Sequence, residues 1–248
     1  MTTATNITAG TGRILVWDLP VRIFHWTLAG TFAAAYVLSE SERLRAVHVT
    51  LGWTVLGLVA FRLVWGFVGS RWARFSSFAF GPRAVAAYLR QLAAGRPPRH
   101  VGHNPAGSWA VYAILALAAL TGITGWCNYE GIGGDALEEL HEGLAATWLA
   151  LVGLHVAGVV VSSWLHRENL ARAMITGWKD GTAAESAGAP RRLAGATLAA
   201  AVAGFWAWSA LAGGVPWTNP AGERAAHDAG SGGYEGHERR ETREDMDD

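Results

Sequence analysis

Hydrophobic and polar positions along this chain alternate on the scale of whole helices rather than single residues. Five apolar runs, residues 22–38, 47–69, 108–127, 139–164 and 193–213, approach the roughly 20 residues needed to cross a hydrocarbon core of about 30 Å. The first is short for a span. The connection 70–107 contains GPRAVAAYLRQLAAG, whose early proline and closing glycine predict a short amphipathic helix at the membrane surface. From Gly214 onward glycine and charge dominate, with little to bury. Residues 214–248 therefore read as a disordered tail, and its His227 and His237 as solvated. The runs show no repeat of fixed period.

Composition strengthens the membrane reading. Of 248 residues 51% are apolar and 16% charged, against roughly 25% charged in soluble domains. A single cysteine, Cys127, excludes an internal disulfide framework, every CxxC site and covalent haem attachment through CxxCH. The basic residues are mostly arginines scattered over several segments, which speaks against nucleic-acid binding. No apolar core with a small-residue cleavage site stands in the first 22 residues, so the first apolar run is expected to remain as an anchor.

Charge also sets an orientation. Arg13 and Arg22, then Arg71, Arg74, Arg83, Arg90, Arg96 and Arg99, then Arg167, Arg172, Lys179, Arg191 and Arg192 all fall on one side of the five runs. The other side has Arg43 and Arg45, none in NYEGIGGDAL, and a few in the tail. Because cytoplasmic loops are rich in Arg and Lys, the N-terminus is expected in the cytoplasm and the C-terminal tail on the outer side of the membrane.

Four of the nine histidines lie inside or at the rim of the runs: His25, His48, His141 and His155. Ionisable groups in a span are costly, so each is a functional candidate; a lone one is equally well an interhelical hydrogen bond. The antiparallel order of the runs lets His25 share a level with His155, and His48 share the opposite level with His141. The fourteen residues from His141 to His155 span roughly 21 Å and return to within about 40° of the same helix face. One face thus offers a ligand near each membrane surface. That suits two stacked cofactors better than one ion, whose ligands must converge. A b-type haem held by imidazoles of two helices meets this description.

Gly30, Gly52, Gly57, Gly153 and Gly158 would let a flat macrocycle approach, or would serve close helix packing. Arg62, an arginine within a span, suits a haem propionate at the inner level, with snorkelling to headgroups as the other reading. Glu138, Glu139 and Glu142 around His141 fit either proton uptake or helix-start electrostatics. In RHVGHNPAGSW, His100 and His103 are expected to help cap the next helix beside Asn104 and Pro105, with a quinone or propionate contact as the alternative. His166 reads as interfacial.

The order VWDLPVRIFHW, HVTLGW, FRLVWGFVGSRWARF, GHNPAGSW and LHEGLA…LHVAG resembles the bacterial di-haem cytochrome b561 family, which is related to the b-type cytochrome subunits of nickel-iron hydrogenases and formate dehydrogenases. The likeness covers roughly residues 14–180. It implies an all-α membrane protein, a four-helix transmembrane haem-binding bundle, here followed by a fifth transmembrane helix. It also implies two haem b groups, with His25 paired to His155 and His48 to His141 as axial iron ligands. Electron exchange would follow with quinone or menaquinone, or with a cytochrome c or a hydrogenase-like or dehydrogenase-like partner subunit. The expected division is a cytoplasmic segment 1–21, the di-haem bundle 22–180, the additional helix 193–213 and the tail. A self-contained oxidoreductase and a subunit of a larger one both fit these residues. The competing class is a histidine-lined proton or metal-ion path, or a structural membrane subunit without haem. It expects polar residues between the histidine levels, where GLAATWLALVGL offers only Thr147.

Overall fold

A computed structural model describes residues 12–212. The long helices are α1 (Leu19–Val37), α2 (Arg45–Val68), α4 (Pro105–Tyr129), α5 (Gly134–His166) and α7 (Arg192–Leu211), with shorter helices α3 (Pro82–Ala93) and α6 (Leu170–Thr176) between them. Starts are set by local chemistry. Asp18 Oδ1 accepts from the Val21 N–H at 2.9 Å ahead of Pro20, and Asn104 Oδ1 accepts from the Gly107 N–H at 2.7 Å ahead of Pro105. The helix α3 lies where the GPRAVAAYLRQLAAG stretch predicts it and buries Val85 and Tyr88.

Among the described residues four helical segments are long and apolar enough to cross a membrane: Glu42–Val68, Pro105–Tyr129, Gly134–His166 and Arg192–Leu211. The first expected run forms α1 but falls short of that measure, because Arg22, His25, Thr27 and Thr31 interrupt its 19 residues. It is nonetheless packed against α2 and α7. At 33 residues α5 is about 50 Å long, so its ends reach beyond a hydrocarbon core of about 30 Å.

The sequence pattern gave no sign of a strand, yet β1 (Gly12–Leu15) and β2 (Trp178–Gly181) pair antiparallel, Gly12 opposite Gly181. Gly177 makes the clasp possible. Its φ of +87° lies in the left-handed region, and a Cβ there would stand 2.6 Å from the Trp17 carbonyl oxygen. Its own carbonyl accepts from Val16 and Trp17 N–H at 2.8 and 3.1 Å. The segment ahead of α1 is thereby buried, with Val16 and Asp18 fully covered.

Helix neighbours decide where space remains. Helix α4 runs beside both α2 and α5, and α1 beside α2 and α7. Among the long helices α5 approaches only α4 closely; its backbone stays away from α1 and α2. The core fills the middle of the bundle with Phe24, Leu28, Phe32, Val55, Leu58, Leu115, Ala118 and Trp148.

Candidate haem-binding site

Three helices carry chemistry at intervals of seven residues, two turns that return to within about 20° of one face. On α5 the series is His141, Trp148, His155; on α2 it is His48, Val55, Arg62; on α1 it is His25, Phe32. The helices alternate in direction, so these series stack into three levels: His48 with His141, a middle level of Phe32, Val55 and Trp148, and His25 with His155 and Arg62.

At the first level the His48 and His141 rings stand 6.3 Å apart between centroids, with planes at 77°. Both Nδ1 atoms meet backbone carbonyls, His48 that of Ala35 at 2.9 Å and His141 that of Thr121 at 3.0 Å. A carbonyl only accepts, so each Nδ1 donates and each Nε2 keeps its lone pair for a metal. Two metal–imidazole bonds of about 2 Å, plus half a ring on either side, come to roughly 6 Å. The observed separation would let both imidazoles hold one haem iron. Gly125 leaves room for the His141 ring, since a Cβ there would come within 2.8 Å of Cε1. Thr124 Oγ1 also touches His141 Nδ1, at 3.2 Å. Glu138 and Glu142 lie within electrostatic reach of the same imidazole.

At the other level His25 lies within electrostatic reach of His155, and its buried Nδ1 has no hydrogen-bond partner. Arg62 is 2% exposed, deep enough to set aside snorkelling. Its guanidinium stands 4.8 Å from the Phe75 ring centre, its Nη1 lacks a partner, and Asp18 and Tyr112 are its electrostatic neighbours. Asp18 in turn accepts from Trp65 Nε1–H at 3.0 Å.

His103 departs from the sequence expectation. Asn104 alone caps α4, while the His103 ring packs against Phe78 and Trp17, with centroids 4.4 and 4.8 Å away, and its Nδ1 is buried. Burial, reinforced by the charge of Arg62, pushes it down to about 3. It is therefore a neutral imidazole with an unpartnered Nδ1, within electrostatic reach of Arg62, His25 and His155. His100 stays at the surface, its Nδ1 on the Pro98 carbonyl at 3.0 Å. His166 ends α5 near Glu168 and Lys179. His227 and His237 lie outside the described residues.

The fit to a flat macrocycle rests on three observations. The α5 backbone packs extensively on α4 but not on α1 or α2, on which His25 and His48 stand. A Cβ built at Gly30, Gly52, Gly153 or Gly158 would meet nothing within 4 Å, so these glycines border open space rather than tight helix contacts, whereas Gly57 opens toward α7. Unpartnered polar atoms of His25, Arg62 and His103 collect at one level. Among the described residues no group of three or more His, Cys, Asp or Glu side chains could hold a bare metal ion.

The model of a known family, described as prokaryotic cytochrome b561, matches residues 16–177. No curated protein and no solved structure matches the chain.

Proposed function

We propose a two-haem electron path for this chain, which belongs to the prokaryotic cytochrome b561 family and so is a membrane protein that transfers electrons through b-type haem. His48 and His141 would hold one haem and His25 and His155 the other. The separation of 6.3 Å between the His48 and His141 rings, with both Nδ1 atoms tied to carbonyls, carries this reading. When bound, haem iron supplies one-electron chemistry; the protein supplies ligation, burial and charge.

Arg62, with its unpartnered Nη1, would take a propionate of the haem at the His25 level. Residues 22–180 would form the haem bundle, and 193–213 an added span. The arginine-rich side would face the cytoplasm, with residues 1–21 there and the tail in the periplasm. Electrons would pass between quinone or menaquinone and a redox partner protein.

The middle level weighs against a proton or metal-ion path. Phe32, Val55 and Trp148 set apolar core between the histidine levels, where a relay would need closely spaced polar groups. The test is spectroscopic. The detergent-purified chain, supplied with haem, should show a b-type alpha band on dithionite reduction and about two haems per chain. A single haem would overturn the pairing, and none would overturn the whole reading.

A further inference from the structure

Helix α7 lies beyond the family match, and a cleft of about 680 Å³ separates it from α2. Its walls are almost wholly apolar: Trp53, Gly57 and Phe61 from α2 face Leu193, Ala201 and Phe205 from α7. Leu193 and Ala194 also line a second hollow, which continues the cleft past Trp65 to Arg191 and Arg192 at the start of α7. The groove is thus apolar along its length and cationic at one mouth. From Leu193 to Phe205 it runs roughly 18 Å, somewhat more than half of a hydrocarbon core of about 30 Å.

We infer that the α2–α7 groove binds an anionic phospholipid of the leaflet on the arginine-rich side, one acyl chain lying between the helices and the phosphate held by Arg191 and Arg192. Guanidinium groups match phosphate oxygens in bidentate fashion, and basic pockets between transmembrane helices select anionic headgroups. Trp65 at the mouth suits the headgroup level, where indole rings collect. A quinone fits less well, because the apolar walls offer little to its carbonyl oxygens and the two cations at the mouth would have no partner.

Native mass spectrometry of the full chain, released from detergent after doping with phosphatidylglycerol, cardiolipin or phosphatidylcholine, tests this directly. The anionic lipids should remain bound at collision energies that strip phosphatidylcholine. The double variant Arg191→Gln/Arg192→Gln changes only exposed side chains and should lose that preference about fivefold or more. Ala201→Phe, which fills the groove, should lower retention of every lipid. Equal retention of the three lipids, a preference unchanged in the double variant, or a co-purified quinone that Ala201→Phe displaces would each overturn the assignment. None of these readouts depends on haem.

Discussion

Phe32 on α1 and Trp148 on α5 stack with ring centroids 4.0 Å apart and planes tilted by 34°, each seven residues from a histidine of the proposed haem sites. The pair joins side chains of two helices whose backbones make no extensive contact. In lipid, where apolar burial drives little helix association, such close packing carries much of the bundle's cohesion. Trp148→Ala is therefore expected to destabilise the bundle on the scale of core Trp truncations, about 3–5 kcal/mol, and Trp148→Leu by less. Unfolding in graded detergent–SDS mixtures, followed by helical ellipticity, would measure both. A loss below about 1 kcal/mol for the alanine variant would mean that α4 alone holds α5 in place.

Replacing the histidines one at a time should divide them into two pairs. His48→Ala and His141→Ala should each reduce the haem count from about two to about one and remove the same spectral component. His25→Ala and His155→Ala should remove the other component. Pyridine haemochrome assay and low-temperature spectra of the four variants provide the test. A shared component between His25→Ala and His48→Ala would break the assignment.

Gly125→Ala tests the support behind His141 without replacing any of the four histidines. The added methyl would stand 2.8 Å from Cε1, so the ring must tilt or the helices must part. Outer partners that orient a ligating imidazole typically affect metal affinity by 10–100-fold. Faster haem transfer to apomyoglobin is expected from one site only, with the overall fold retained. Identical transfer kinetics would show that the ring has room the structure does not reveal.

Arg62→Gln should lower the midpoint potential of one haem. A buried positive charge favours the reduced, more negative state, and removing it favours the oxidised one. A shift of roughly 50 mV, worth about 1.2 kcal/mol for one electron, is the scale expected. Redox titration should resolve two components, and only the one lost in His25→Ala should move. Arg62→Lys should shift it less, since the charge remains while the planar fork is lost.

The apolar periods made the long helices readable, and the seven-residue series on α1, α2 and α5 was already present in the residue order. Trp148 could have been picked out as the midpoint between His141 and His155. What the order of residues hides is backbone chemistry at a distance. The carbonyls of Ala35 and Thr121 that orient the His48 and His141 imidazoles belong to other helices, and a carbonyl has no sequence signature. The β1–β2 pairing joins segments that flank the family match on either side, which local pattern cannot register. His103 looked like a cap because Asn104 and Pro105 follow it, yet helix-start signals leave the preceding side chain undirected, and packing with Phe78 and Trp17 decides its place.

Lys179 offers a test of the cap that holds the arginine-rich ends together. Its ammonium donates to the carbonyls of His100 and Val101 at 3.3 and 3.1 Å and pairs with Glu168 at 3.4 Å. Burial lowers its pKa, and Glu168 opposes that shift. With the lysine side chain 3% exposed and the glutamate 18%, removing one charge strands the other in a poorly hydrated place. Lys179→Met should thus cost about 3 kcal/mol, because it also frees two carbonyls from their donor. Glu168→Gln should cost less, because Lys179 keeps those carbonyls. Arg99, 3.8 Å from the same carboxylate, limits what remains of the coupling. The double variant should fall short of the sum by about 1 kcal/mol, measured in the same SDS titrations. Strict additivity would show that Lys179 acts through the carbonyls alone and that the ion pair contributes nothing.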